Sequence, residues 1–163
     1  MRPSAGHLVR RFFGMLVPVG PSTEGEAFAV AVLSEAELAL WRRMTAPDRR
    51  HAVAVAKRVE AALGAQATPP VLAAALLHDV GKVEAGLGPA GRVLATLAGM
   101  AGRHELTPRV ATYLRHAELG AGLLELAGSD PLTVAWAREH HLPPEEWTVP
   151  AALGTALKSA DDD

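Results

Sequence analysis

The chain has 163 residues, 49% of them apolar but only 4% aromatic, and its 16 basic and 18 acidic side chains leave a net charge of −2. A single domain of this length buries a core without covalent staples, and that core must be filled mainly by Ala, Leu and Val. The mixed, near-neutral charge offers no footprint for a nucleic-acid duplex or an anionic membrane; the absence of cysteine excludes disulfides, thiolate zinc sites and cysteine nucleophiles together.

Residues 1–25 read as a basic, helix-like start followed by a Pro/Gly-rich connector from Pro18 to Gly25. Arg10-Arg11-Phe12-Phe13-Gly14-Met15-Leu16 is similar to a twin-arginine export signal. However, Pro18 and Pro21 break the apolar run and Glu24 and Glu26 follow it, so an amphipathic segment packed on the domain is expected. No apolar run is long enough to span a bilayer, and a cytoplasmic protein without a membrane partner is the expectation. The spacing turns helical from Glu26, and Ser34 with Glu37 forms a capping box ahead of Leu38, Leu40 and Trp41.

Thr45-Ala46-Pro47-Asp48 supplies a cap, a first-turn proline and a first-turn acid for a helix that Gly64 ends. His51, Val55, Val59 and Ala62 fall along one stripe of it. Pro69-Pro70 opens a helix from Val71 to about Asp79, apolar nearly all round and therefore central, with Gly81 placed to end it. A glycine-interrupted helix is expected around Val93, Leu94 and Leu97, and another from Pro108 through Val110, Tyr113 and Leu114. His116 leads into Leu123, Leu124 and Leu126; Ser129-Asp130-Pro131 starts a helix that runs to His140-His141, where Pro143-Pro144 stops it. Pro150 opens a last helix from Ala151 to about Ala160. No stretch alternates as a strand would, so the fold class expected is all-α, a single-domain helical bundle, with an N-terminal helical extension over residues 1–45 packed on a core domain over residues 46–163.

The residues that carry chemistry are His51, His78, Asp79, His116, His140, His141 and Asp161, each at or near a helix end or on an inward face. Without thiolates, a metal here is held by imidazole and carboxylate, a donor set suited to Fe, Mn, Co, Ni or Zn. His140 and His141 are adjacent, so on a regular helix their side chains point about 100° apart, and only one reaches a metal unless the helix ends there. Asp161 is the expected C-terminal ligand, with Asp162 or Asp163 as substitutes and a solvated acidic tail as the plainer reading. Lys82 reads either as a phosphate-neutralising or proton-donating group beside the pair or as surface charge. Arg103, Arg109, Arg115 and Arg138 are further cations that spacing does not separate, and His7 and His104 fall outside the pattern.

His51, the His78-Asp79 doublet and the late Asp161 resemble the signature of the HD-domain superfamily of metal-dependent phosphohydrolases, all-helical proteins named for that doublet. The resemblance runs from about residue 46 to 163. His78-Asp79-Val80-Gly81-Lys82 is similar to the HDxGK form, His116-Ala117-Glu118-Leu119-Gly120 to the H-P-x-x-G segment with alanine for proline, and His140-His141 to the paired histidines of the HD-GYP branch. After that pair the chain reads Leu142-Pro143-Pro144-Glu145-Glu146-Trp147, without the Gly-Tyr-Pro that names the branch, so cyclic-di-GMP is not implied as the substrate. Pro47 stands where some members carry a glutamate for a third ion.

The resemblance implies two divalent ions, Fe, Mn or similar. One would be held by His51, His78, Asp79 and Asp161, the other by Asp79, His116, His140 and His141, with Asp79 as the bridge and Asp79 and Lys82 serving the reaction. It implies hydrolysis of a phosphomonoester or phosphodiester by a metal-activated water, the partner being a small-molecule phosphate ester or nucleotide. Two other readings use the same cage: a non-catalytic regulatory domain that binds a nucleotide or metal, and an HD-related oxygenase.

Overall fold

A computed structural model of the chain describes residues 19–86, 111–112 and 115–162. These residues form an all-α bundle with no strand among them. In chain order the helices are α1 (Thr23–Val32), α2 (Glu35–Arg43), α3 (Ala46–Leu63), α4 (Pro69–Leu77), α5 (His116–Leu126), α6 (Pro131–Glu139) and α7 (Ala151–Asp162), with 3-10 turns at Gly64–Gln66, Val80–Glu84 and Pro144–Glu146. The expected segments around Val93 and from Pro108 to Leu114, apart from Ala111 and Thr112, lie outside the described residues, as do the arginine pair near the N-terminus, His7, His104, Arg103 and Arg109. No described helix is long and apolar enough to cross a membrane.

Caps define the helix starts. Ser34 accepts from the Glu37 amide while the Glu37 carboxylate accepts from the Ser34 amide at 2.9 Å, the reciprocal pair that satisfies two otherwise orphaned donors. Thr45 and Pro47 open α3, and Asp130 opens α6 by accepting from Leu132 N at 2.8 Å. Gly64, at φ 52°, ends α3 in a conformation that other residues rarely adopt. One boundary differs from the sequence reading: α1 begins at Thr23, capped by Ser22, so Gly25 lies inside a helix rather than in a connector. The reason is packing, because a Cβ on Gly25 would come within 3.0 Å of Val53 Cγ1, and its lack of one brings α1 close onto α3.

Helix α4 is the centre of the bundle. Val71 through Leu77 are all buried, and the run of alanines from Ala73 to Ala75 lets α3 and α6 pack closely against it. Trp41, Val55, Val59, Leu76, Leu124, Trp136 and Leu157 complete one continuous core to which Ala29, Leu33 and Met44 from the N-terminal helices also belong. The stripe on α3 is rotated from the expected one: Ala52, Val53, Val55, Ala56 and Val59 are buried, whereas Ala62 is exposed. Two further contacts place the site. Helix α7 lies against α3, and α5 lies against both α6 and the 3-10 turn that follows α4.

Candidate metal centre

The turn after α4 determines where the doublet points. The helix ends at Leu77, His78 closes it, and Asp79 (φ −100°, ψ 7°) leaves helical geometry before the turn at Val80. Gly81 has no positive φ, so its role is not the left-handed helix stop that its position suggested. It is there because the backbones touch: a Cβ on Gly81 would lie 1.9 Å from the His116 carbonyl oxygen and 2.6 Å from Gly120 N. Gly120 reciprocates, since its own Cβ would stand 3.0 Å from Gly81 N. Two glycines thus dock the start of α5 on the turn and carry His116 to Asp79.

Helix ends supply the other ligands. His140 closes α6 and His141 stands in the turn after it. The chain leaves the helix between the paired histidines, so both rings turn the same way, their centroids 3.9 Å apart. Asp161 is buried in the last turn of α7, which runs on to Asp162. It is not part of a solvated tail, whereas Asp162 is half exposed and pairs with Lys158 at 3.3 Å. Arg58, two turns beyond His51 on α3, donates to Ala160 O at 2.9 Å and so holds the end of α7 beside His51.

All seven predicted ligands converge in two groups, Asp79 with His116, His140 and His141, and His51 with His78 and Asp161; within each group the ligand atoms lie within 4.8 Å of one another. Asp79 stands between them. Its Oδ1 is 3.4 Å from His116 Nε2 and 3.8 Å from His140 Nε2, while its Oδ2 is 3.5 Å from His78 Nε2. Asp161 Oδ1 is 2.9 Å from His51 Nε2 and 3.5 Å from His78 Nε2. His141 Nε2 and His116 Nε2 are 2.9 Å apart, so both rings turn the same nitrogen to one point.

The donor set fits a cation. His78 Nδ1 donates to Ala75 O and His140 Nδ1 to Ala137 O, each at 2.9 Å, which leaves each Nε2 with its lone pair facing inward. Both Nε2 atoms are buried and have no hydrogen-bond partner. A buried acceptor left so costs on the order of 1–3 kcal/mol, and here two of them face carboxylate oxygens that cannot donate. A metal ion removes that conflict.

Charge follows the same geometry. Burial opposes the charged form of His78, yet Asp79 and Asp161 outweigh it and hold its pKa above the ordinary value. Burial likewise opposes ionisation of Asp79, but Lys82, His78 and His116 keep its carboxyl well below the usual range. His140 is pushed well below the imidazole range by burial and then by His141 and His78. His141 is lowered to about 4 by burial and His116, with Lys82 and Lys158 adding to the effect. The result is a carboxylate core in which His78 is biased toward its charged form, while His140 and His141 are biased toward neutral imidazoles.

Lys82 lies within the site. Its ammonium is in contact with Asp79 Oδ2, and the side chain is only 13% exposed. The site opens to solvent at His141, an exposed residue whose ring is nevertheless packed against His116 and His140, and partly at His51. Arg115 and Arg138 point elsewhere, paired on the surface with Glu118 and Glu125. Two residues that the sequence reading did not select support the site: Arg58, which its seven-residue spacing from His51 could have flagged, and Glu139, discussed below. The chain matches no family model, no curated protein and no solved structure, so its chemistry is read from the geometry alone.

Proposed function

We propose that this protein is a metal-dependent phosphohydrolase of the HD-domain type, acting on a phosphomonoester or phosphodiester of a nucleotide. The observation that carries the reading is the pair of buried, unpartnered Nε2 atoms of His78 and His140, which face Asp79 and gather with four further candidate ligands, His51, His116, His141 and Asp161, in two adjoining groups. His51, His78, Asp161 and Asp79 Oδ2 would hold one ion and Asp79 Oδ1, His116, His140 and His141 the second. Ions of the Fe or Mn kind held there supply Lewis acidity and a water acidic enough to attack phosphorus near neutral pH.

The chain's own residues do the rest. Asp79 sets the spacing between the two groups of ligands. Lys82 and Lys158, both near enough to His141 to disfavour its protonation, present positive charge at the open side, where the anionic ester enters. Lys82 is then placed to neutralise a phosphate oxygen or to protonate the departing alkoxide. The buried wall made by α4 and α6 excludes bulk water from the far side and so strengthens these interactions.

The test is turnover by protein loaded with Mn or Fe on aryl phosphates and on a panel of nucleotides and cyclic dinucleotides, with Asp79→Ala as control. Metal-dependent hydrolysis lost in the control is the expected result. Metal-replete protein that cleaves none of these substrates refutes the reading and favours a regulatory domain that only binds.

A further inference from the structure

The paired histidines serve one group of ligands only because the chain leaves α6 between them, and the structure shows what holds that exit. Leu142 N donates to Glu139 O at 2.8 Å, which turns the backbone immediately after His141. The Glu139 side chain is buried, although it precedes a surface loop. Its carboxylate accepts three hydrogen bonds from the returning end of that loop: Thr148 N at 2.8 Å, Thr148 Oγ1 at 2.5 Å and Val149 N at 3.3 Å. A second closure lies further out, where Trp147 Nε1 donates to Leu142 O at 3.0 Å and the Trp147 ring sits over Gly154 of α7. The loop from His140 to Pro150 is thus clasped at its base by one carboxylate that accepts from three donors of the loop.

We infer that Glu139 is a positioning residue for His140 and His141: by clasping Thr148 and Val149 it holds the loop shut, keeps the turn at His141, and makes the four-residue group competent to take an ion. The inference rests on the metal-centre reading above. The Glu139 carboxylate is hydrogen-bonded to Thr148 and Val149 rather than to the His140 or His141 ring, so it acts through the backbone. Carboxylates that orient ligands from behind alter metal affinity by about 10- to 100-fold when removed, and the loop clasp places Glu139 in that class by a different route. His51, His78 and Asp161, which would hold the other ion, stand on α3, at the end of α4 and at the end of α7; the loop meets α7 through Trp147 over Gly154, about two turns before Asp161.

The experiment is a titration of the metal-free full chain with Co(II), followed by visible absorption and calorimetry, in wild type, Glu139→Ala, Glu139→Gln and Thr148→Val. His51→Ala and His141→Ala assign the two binding steps to their groups. Glu139→Ala and Thr148→Val are expected to weaken the step assigned to His141 by about tenfold or more and to change the other by less than about twofold. Glu139→Gln, which keeps one acceptor oxygen, is expected to fall between wild type and Glu139→Ala. Wild-type affinity at both steps in Glu139→Ala and Thr148→Val overturns the inference, as does equal weakening of both steps, which marks a general structural role. If Glu139→Ala does not fold, Thr148→Val, which removes a single hydroxyl donor, decides. Wild-type protein that takes up no Co(II) overturns the metal centre itself and the inference with it, whereas wild type that binds and variants that bind identically overturn the inference alone.

Discussion

Gly81 and His116 meet backbone to backbone: the hydrogen on Gly81 that a Cβ would replace points at the His116 carbonyl oxygen, and the added carbon would stand 1.9 Å from it. No rotamer relieves that overlap, because both partners are main chain. Gly81→Ala must therefore push the start of α5 away from the turn that carries Asp79. A cost of about 3 kcal/mol, the upper end for an overpacked site, corresponds to a fall in Tm of roughly 6–12 °C for a chain of this size. Thermal unfolding of the variant measures it, and a wild-type Tm would show that the two segments are not packed as described.

Asp79 is the residue on which both groups depend. Asp79→Asn keeps the shape but removes the charge that His78, His116 and Lys82 share. Metal content of the purified variant, measured by elemental analysis, is expected to drop below half that of wild type, since both groups lose the shared Asp79 charge and the group of His116, His140 and His141 loses its one carboxylate. Unchanged metal in the variant would mean that the ions, if present, are bound elsewhere.

Stability should fall with acid in a predictable window. His140 and His141 have folded-state pKa values below the ordinary imidazole value, His141 at about 4, so as the pH drops from about 6.5 toward 4 the unfolded chain takes up protons that the folded site resists. Stability therefore declines through that interval. His78, raised by its carboxylates, works in the opposite sense but at higher pH: its contribution is fully present below the ordinary imidazole value of about 6.5 and is lost as pH rises through its folded value, so it leaves the decline between pH 6.5 and 4 unchanged. Asp79, lowered, costs stability only once the pH falls below the ordinary carboxylate range. Bound metal steepens the decline because its imidazole ligands must be neutral. Tm recorded at pH 4.5 and 6.5, with chelator and with Mn, tests both statements, and a chelated protein more stable at pH 4.5 would contradict them.

Lys82 is expected to matter for turnover more than for folding. Lys82→Met keeps the aliphatic stem and removes the ammonium, and a group that neutralises charge developing on phosphate contributes about 10²-fold to kcat. Steady-state kinetics alongside metal analysis separates this from a loss of ions. Full activity in the variant would return Lys82 to the role of a structural partner for Asp79.

Local signals in the chain were sufficient for the helices. Ser34 with Glu37, Thr45 with Pro47 and Asp130 with Pro131 are satisfied within three or four residues, so the sequence alone locates those starts. The all-apolar run of Val71 to Leu77 has no polar face to expose and can only lie at the centre. The residue types at His51, His78, Asp79, His116, His140, His141 and Asp161 likewise limit a metal site to nitrogen and oxygen donors before any coordinates are considered.

What only the tertiary structure decided are the properties set by contacts between segments far apart in the chain. Gly81 looks like a helix stop until the His116 carbonyl is seen against it, and Gly25 looks like a linker until Val53 is seen beneath it. Asp161 is buried beside His51 and His78 rather than part of a charged tail because α7 packs on α3 and Arg58 holds its last turn. Both His140 and His141 face one group because Glu139 fastens a loop whose far end is nine residues away. Helical periodicity and capping report only on neighbours within about one turn of each other, whereas a metal site of this kind is built from the ends of helices that the sequence keeps separate.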